Sequence, residues 1–210
     1  MSKAASRVRD KWRMKEWYAV YTPSYFGEIN IANIPCADQS KLIGRVVEST
    51  LYDVTGDFSH QSIKLYFMVK EVKGDRVETI LKGHEYSPDY LRSLVRRGSS
   101  RIDGIFKVTT KDGYTTRISV VAFTKSRVNI SQQHKIRLIM RDVVEEKAKN
   151  LTYDQLCHEM VLGNVAKAGI GSEIYNLAKK IAPLRHVGVR KSKLLSTPEL
   201  PVEVTVATKT

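Results

Sequence analysis

Four arginines crowd one short stretch of this chain. "YLRSLVRRGSSRIDG", Tyr90 to Gly104, carries Arg92, Arg96, Arg97 and Arg101 against a single acid, Asp103. A guanidinium fork matches two phosphate oxygens at once. The serine hydroxyls of Ser99 and Ser100, and the backbone amides beside Gly98, are ordinary phosphate partners as well. On a helical wheel Tyr90, Leu91, Leu94 and Val95 share one side. Arg92 and Arg96, four apart, project from the other, and Arg97 lies at the boundary. The negative end of a helix attracts a basic residue or two. Four arginines with one acid exceed that effect, and the stretch reads as a grip for phosphate.

The same segregation of charge recurs. From Gly104 to Arg141 the only acid is Asp112, against Lys107, Lys111, Arg117, Lys125, Arg127, Lys135, Arg137 and Arg141. From Ile174 to Pro198 there is no acid, against Lys179, Lys180, Arg185, Arg190, Lys191 and Lys193. Spans this long are poorly explained as a solvated face of mixed sign. Beyond the arginine stretch, the candidate RNA contacts are Lys11, Arg13, Lys111, Arg127, Arg185, Arg190, Lys191 and Lys193. Arg190 and Lys191 are neighbours, so a regular strand turns them to opposite faces. One of them then faces the body, unless both faces meet RNA. Trp12 and Trp17 can stack on bases, although Trp17 suits a core position equally.

Signals for catalysis are poor. Asp53 and Asp57, four apart in "DVTGDF", could hold a divalent metal together with Glu85, as in a nuclease. Thr55-Gly56 between them reads as a turn, where Asp commonly bonds its own backbone. The histidines show no HExxH spacing, and "AKAGIGSE" lacks both the P-loop lysine and the dinucleotide fingerprint. Cys36 and Cys157 form no CxxC pattern, so neither a disulfide nor a zinc framework is indicated and a reducing cytoplasm fits. No cofactor is expected.

The chain has 210 residues, 35 Lys plus Arg, 22 Asp plus Glu, and a formal charge of +13. Such a balance calls for a polyanionic partner. A membrane is the weaker candidate, because no apolar run approaches the roughly 20 residues that span a bilayer. Met1 to Lys15 is charged throughout and carries no signal-peptide h-region. With 42% hydrophobic residues, the body should fold around a sizeable core.

The elements that must position these residues follow from periodicity. Residues 1–14 read as a basic, mobile arm. "WYAVYTP" suits a first strand, and "LIGRVVESTLYD" is extended. "VTGDFS" is a turn. Ile63, Leu65, Phe67 and Val69 alternate with Lys64, Tyr66, Met68 and Lys70, the period of a half-buried strand. Gly74-Asp75 makes a hairpin turn, and "RVETILKG" returns. Ser87, Pro88, Asp89 and Gly98 signal both ends of a short helix. "RIDGIFKVTT" and "YTTRISVVAFTKSRV" form a second hairpin about Lys111-Asp112-Gly113. Residues 132–149 have the helical period. Thr152 caps another helix that runs to Gly163, and "SEIYNLAKKIA" forms a third, entered at Gly169 and Gly171. "LRHVGVRKSKLL" is again extended. The expected fold is one α+β domain over 15–196, with a mainly antiparallel, curved or barrel-like sheet, a short inserted helix and C-terminal flanking helices. Residues 197–210 read as a tail.

The motifs "KWRMKEWYAVYTPSYFGE", "LIGRVVESTLYDVTGDFS", "KLYFMVKEV", "KGHEYSPDYLRSLVRRGSSRIDGI", "VTTKDGYTTRISVVAFT", "IRLIMRDVVEEKA" and "PLRHVGVRKSKLL" occur in this order over roughly residues 11 to 196. Together they resemble the S3Ae family of small-subunit ribosomal proteins of archaea and eukaryotes. The resemblance implies a structural, non-catalytic ribosomal protein in the cytoplasm. It implies a place on the platform of the small subunit, bound to rRNA near the mRNA exit. Platform proteins would be its neighbours, and mRNA a further contact. It carries over Arg92, Arg96, Arg97 and Arg101. Where the family's arginine run often continues, this chain has Gly98. Short termini make it similar to the archaeal members, and residues 197–210 match none of the motifs. The readings from other classes are a metal-dependent nuclease using Asp53, Asp57 and Glu85, and a stand-alone RNA-binding regulator.

Overall fold

A computed structural model describes residues 12–165 and 169–198. Lys11, most of the N-terminal arm and most of the C-terminal tail lie outside them. The fold is mixed α+β, and its internal packing separates two compact units, Met1–His84 and Glu85–Thr210.

The first unit contains β1 (Glu16–Tyr21), β2 (Asn30–Cys36), β3 (Val46–Thr50), the short helix α1 (Leu51–Thr55), β4 (Ile63–Lys73) and most of β5 (Arg76–Tyr86). β3 pairs antiparallel with β4, β4 pairs with β5 through the turn at Gly74-Asp75, and β1 pairs with β2 on one side and β5 on the other. Gly74 has a φ of +60°, which an L side chain adopts reluctantly. The alternation read from β4 is borne out, with Ile63, Leu65, Phe67 and Val69 buried. A core of Tyr18, Val20, Cys36, Leu42, Val69 and Val77 forms beneath the strands.

Besides the strand β2, two features of this unit were not anticipated. The β1–β5 pairing is parallel, with Val20 opposite Val77. Leu51–Thr55 is helical, where "LYD" was expected to be extended and "VT" to open a turn. Thr50 accepts a bond from the Asp53 N–H, and the Asp53 carboxylate accepts from the Thr50 N–H. This reciprocal box supplies the partners that a helix start otherwise lacks.

The second unit contains α2 (Pro88–Leu94), β6 (Arg101–Thr109), β7 (Thr115–Thr124), α3 (Ile130–Asn150), α4 (Tyr153–Val165), α5 (Ile170–Ala178) and β8 (Leu184–Ser196). β6, β7 and β8 form an antiparallel ladder, and Glu85 at the end of β5 lies opposite Lys191 of β8. α3 and α4 start where capping chemistry places them. Asn129 and Gln132 box the start of α3, and Thr152 exchanges bonds with Gln155 at α4. α3 packs on β6 and α5 on β8. Ile136, Met140, Val144, Cys157, Met160 and Ile174 are buried among these layers. Among the described residues, the strands of neither unit close into a barrel. β2 and β3 remain edges of the first and β6 of the second. Pro35 in β2 has no N–H to donate, which suits an edge.

Candidate nucleic-acid interface

The arginine stretch departs from the single helix expected. α2 ends at Leu94, and Val95 is already extended, with a φ of −79° and a ψ of 128°. Arg96 to Ser99 form a separate turn, closed by Ser99 N–H to Arg96 carbonyl at 3.3 Å, with Gly98 at a φ of +75°. Arg92 and Arg96 therefore sit on different elements, although both are exposed, as is Arg97. Leu91 is the deeply buried residue of α2 at 8% exposure, Tyr90 and Leu94 are half-buried, and Val95 is 53% exposed.

The hydroxyls here are engaged in holding the loop. Ser99 Oγ donates to the Arg96 carbonyl at 2.6 Å. Ser100 Oγ accepts from Val128 N–H at 3.2 Å, and Ser100 N–H donates to Thr124 Oγ1 at 2.8 Å. Arg101 is paired with Asp103, Nε to Oδ2 at 2.9 Å. Arg92 meets Asp89 at 3.4 Å with both side chains in solvent, an interaction of little energetic weight. Arg96 and Arg97 have no carboxylate partner among the described residues, so the turn presents two open guanidinium groups.

β8 resolves the problem of adjacent Arg190 and Lys191. Its pairing with β7 slips at three places. Ser119 faces Lys191 but Val120 faces Val189, which leaves Arg190 as an unpaired bulge residue. Arg185 is extra in the same way, between Leu184 and His186. A bulge re-aims its side chain, so alternation no longer dictates where these arginines point. Lys191 is exposed and donates to Glu85 at 2.8 Å, while Arg185 and Arg190 are half-buried.

Arg185 belongs to a ring cluster. Its guanidinium lies 6.0 Å from the Phe123 ring, and the rings of Tyr86, Tyr90 and Phe123 surround His186 at 6.3 to 6.5 Å. Burial, then the neighbouring Arg185 charge, holds His186 below the ordinary imidazole value. Burial raises the Tyr86 phenol, and the Tyr90 phenol less so.

Lys111, Arg127 and Lys193 are exposed. Arg13 is exposed in the turn before β1. Trp12 and Trp17 are 60% and 62% exposed, so Trp17 is no core anchor, and Lys15 lies 4.0 Å over the Trp12 ring. Lys107, Arg117 and Arg137 were counted in the acid-poor span but not among the candidate RNA contacts. Arg137 Nε donates to the Asp103 carbonyl at 3.1 Å, tying α3 to β6. Lys107 stands directly opposite Arg117, which stands opposite Lys193. The first of these pairings was legible, because the turn at Lys111-Asp112-Gly113 sets Thr109 opposite Thr115 and so fixes the register.

Two of the three carboxylates of the nuclease reading, Asp53 and Glu85, are employed elsewhere. Asp53 Oδ2 accepts from Thr50 N–H at 2.8 Å, Thr50 Oγ1 at 2.8 Å and Ser49 Oγ at 3.0 Å. Those bonds, led by the Thr50 backbone, hold its carboxyl below the ordinary carboxylate pKa. Glu85 is held by Lys191. Among the described residues no three His, Cys, Asp or Glu side chains are grouped to hold a metal ion, and no helix is long and apolar enough to cross a membrane.

Comparison with known proteins gives a consistent picture. Residues 3–198 match the model of the Ribosomal S3Ae family. The chain is 48% identical to a protein of Desulfurococcus amylolyticus named small ribosomal subunit protein eS1, over 94% of this chain and 90% of that one. Proteins of the same name from Staphylothermus marinus and Saccharolobus solfataricus are 49% and 46% identical, over 91% and 95% of this chain and 88% and 93% of theirs. With that much of its length shared, and with a basic surface carried on the same ordered motifs, the chain belongs to the Ribosomal S3Ae family of ribosomal proteins.

Proposed function

We propose that the chain is a structural constituent of the small ribosomal subunit. It docks on rRNA of the platform near the mRNA exit, beside other platform proteins and within reach of mRNA. Membership of a ribosomal family carries this reading, and relatives that share most of its length are named as small-subunit proteins. The open guanidinium groups of Arg96 and Arg97, the exposed Lys111, Arg127 and Lys193, and the exposed indoles of Trp12 and Trp17 support it. Affinity comes from phosphate neutralisation, and the shape of the folded RNA selects the site. The role is architectural rather than enzymatic.

Two measurements test it. The tagged protein should co-sediment with small subunits through a high-salt cushion, and RNA crosslinks should fall in platform rRNA, at Arg96, Arg97 or Lys193 of β8. Recovery only in the free fraction would refute subunit membership. Crosslinks confined to another region would refute the placement.

A further inference from the structure

The face of the β6–β7–β8 ladder turned away from α3 carries an unusual row of charge. Gly104 identifies the helix side, because a Cβ there would lie 3.5 Å from Met140 Sδ of α3. The alternate residues Ile105, Lys107 and Thr109 face the other way and are exposed, and Ile105 is 67% exposed. Cross-strand pairing puts Lys107, Arg117 and Lys193 side by side on one rung of three strands. Neighbouring strands are ~4.8 Å apart, so the rung spans ~10 Å.

Like charges directly opposite on a sheet destabilise it. Two other cations of this face are neutralised, Arg101 by Asp103 and Lys191 by Glu85. The three on the common rung have no carboxylate partner among the described residues. Further along β7 the face is covered, with Val121 and Phe123 fully buried. The uncovered stretch is therefore where the uncompensated charge lies. Hydroxyl-bearing Thr109 and Ser119 flank it, with Ile105 and Leu195, and no aromatic ring stands on these rungs to stack a base.

We infer that the Lys107–Arg117–Lys193 rung is a phosphate rail for the backbone of double-helical RNA, a site separate from the arginine turn after α2. The inference rests on the RNA-binding reading above and adds the place and the form of RNA. Three cations in line complement a run of phosphates, and binding relieves their mutual repulsion. A platform for single strands stacks bases on aromatic side chains. This rung offers charge and hydroxyls, which contact backbone.

The test replaces Lys107, Arg117 and Lys193 with Gln in the full-length chain. Affinity is measured against salt for a fully paired RNA hairpin and for oligouridine. Each lost phosphate contact on a duplex should flatten the log–log salt slope by about 0.9, so the triple variant should lose about 2 to 3 on the hairpin. The single variant Lys193→Gln should lose about 0.9. Thermal unfolding at low salt should show the triple variant at least as stable as the parent, since repulsion is removed. An unchanged hairpin slope in a variant that melts like the parent would overturn the rail. So would a loss confined to oligouridine. A parent chain whose affinity for either RNA ignores salt would instead refute the RNA-binding reading itself.

Discussion

Gly169→Ala should cost this protein several degrees of thermal stability, for reasons of space alone. The φ of Gly169 is −89°, a conformation open to any residue. A Cβ there would lie 2.6 Å from the Gly163 carbonyl carbon and 2.7 Å from the Glu159 carbonyl oxygen. Both are backbone atoms of α4, so no side chain can swing aside, and the start of α5 must move off α4. Overpacking of this kind costs typically ~1–3 kcal/mol. The alanine regains ~0.4–1 kcal/mol by restricting the unfolded chain. The net loss is about 1–2 kcal/mol, a fall in Tm of roughly 2–8 °C for a chain of this size. Gly163→Ala meets the same contact from the other side, at 2.8 Å from Gly169 Cα. Once one substitution has parted the helices the second costs less, so the double variant should be less destabilised than the sum of the two. Gly104→Ala is the control. Its nearest contact, 2.6 Å, is the tip of the half-buried Phe106 ring, which can rotate away. Its loss should be the smaller. Melting followed by circular dichroism reads the four variants and the parent. A Tm for Gly169→Ala within about 1 °C of the parent would refute the close-contact argument.

Further outcomes follow from other parts of the molecule. Changing Arg92, Arg96 and Arg97 to Glu should leave the circular dichroism spectrum intact, since all three side chains are exposed, and should sharply reduce incorporation into small subunits. Normal assembly would show that the turn after α2 touches no phosphate. Thr50→Ala removes one half of the capping box at α1 and should cost about 1 kcal/mol in denaturant unfolding, with RNA binding unchanged. A burial-depressed imidazole favours the folded state when neutral. His186 therefore contributes fully above its ordinary value of 6.5, and that contribution declines as pH falls from there through the depressed folded value. The stability difference between the parent and His186→Gln should shift towards the variant across that window, and a difference independent of pH would contradict it. Lys147 lies 3.4 Å from both Glu159 and Glu173, and burial, which alone would lower its ammonium, is outweighed by the two carboxylates. Lys147→Met should therefore destabilise the packing of α3, α4 and α5, and pairing it with Glu159→Gln should recover part of the loss.

Local chemistry was legible wherever one stretch of chain carried the whole signal. Period-two alternation marked β4, glycine-bearing turns marked two hairpins, the helical period marked α3 and a capping threonine marked α4, the helices to within a few positions. The ordered motifs made the family legible too, because resemblance compares strings and needs no geometry. Other features depend on partners distant in the chain. β2 has no alternation of its own and exists because β1 offers it an edge. The parallel β1–β5 contact joins residues more than fifty apart. The helix after β3 is a different case: its first residues were read as strand and its last as turn, although its capping box, Thr50 with Asp53, is local. The arginine stretch looked like one helix by its wheel, yet Val95 turns extended. Ser100 is then bonded to Thr124 and Val128, contacts that no local pattern encodes. Charge composition announced a polyanion partner from the sequence alone. Which cations stand uncompensated was a tertiary matter, because Asp103 and Glu85 neutralise some of them and cross-strand register lines up Lys107, Arg117 and Lys193. Register and bulges are set by packing across three strands, and a one-residue slip in β8 would have sent Lys193 to the opposite face.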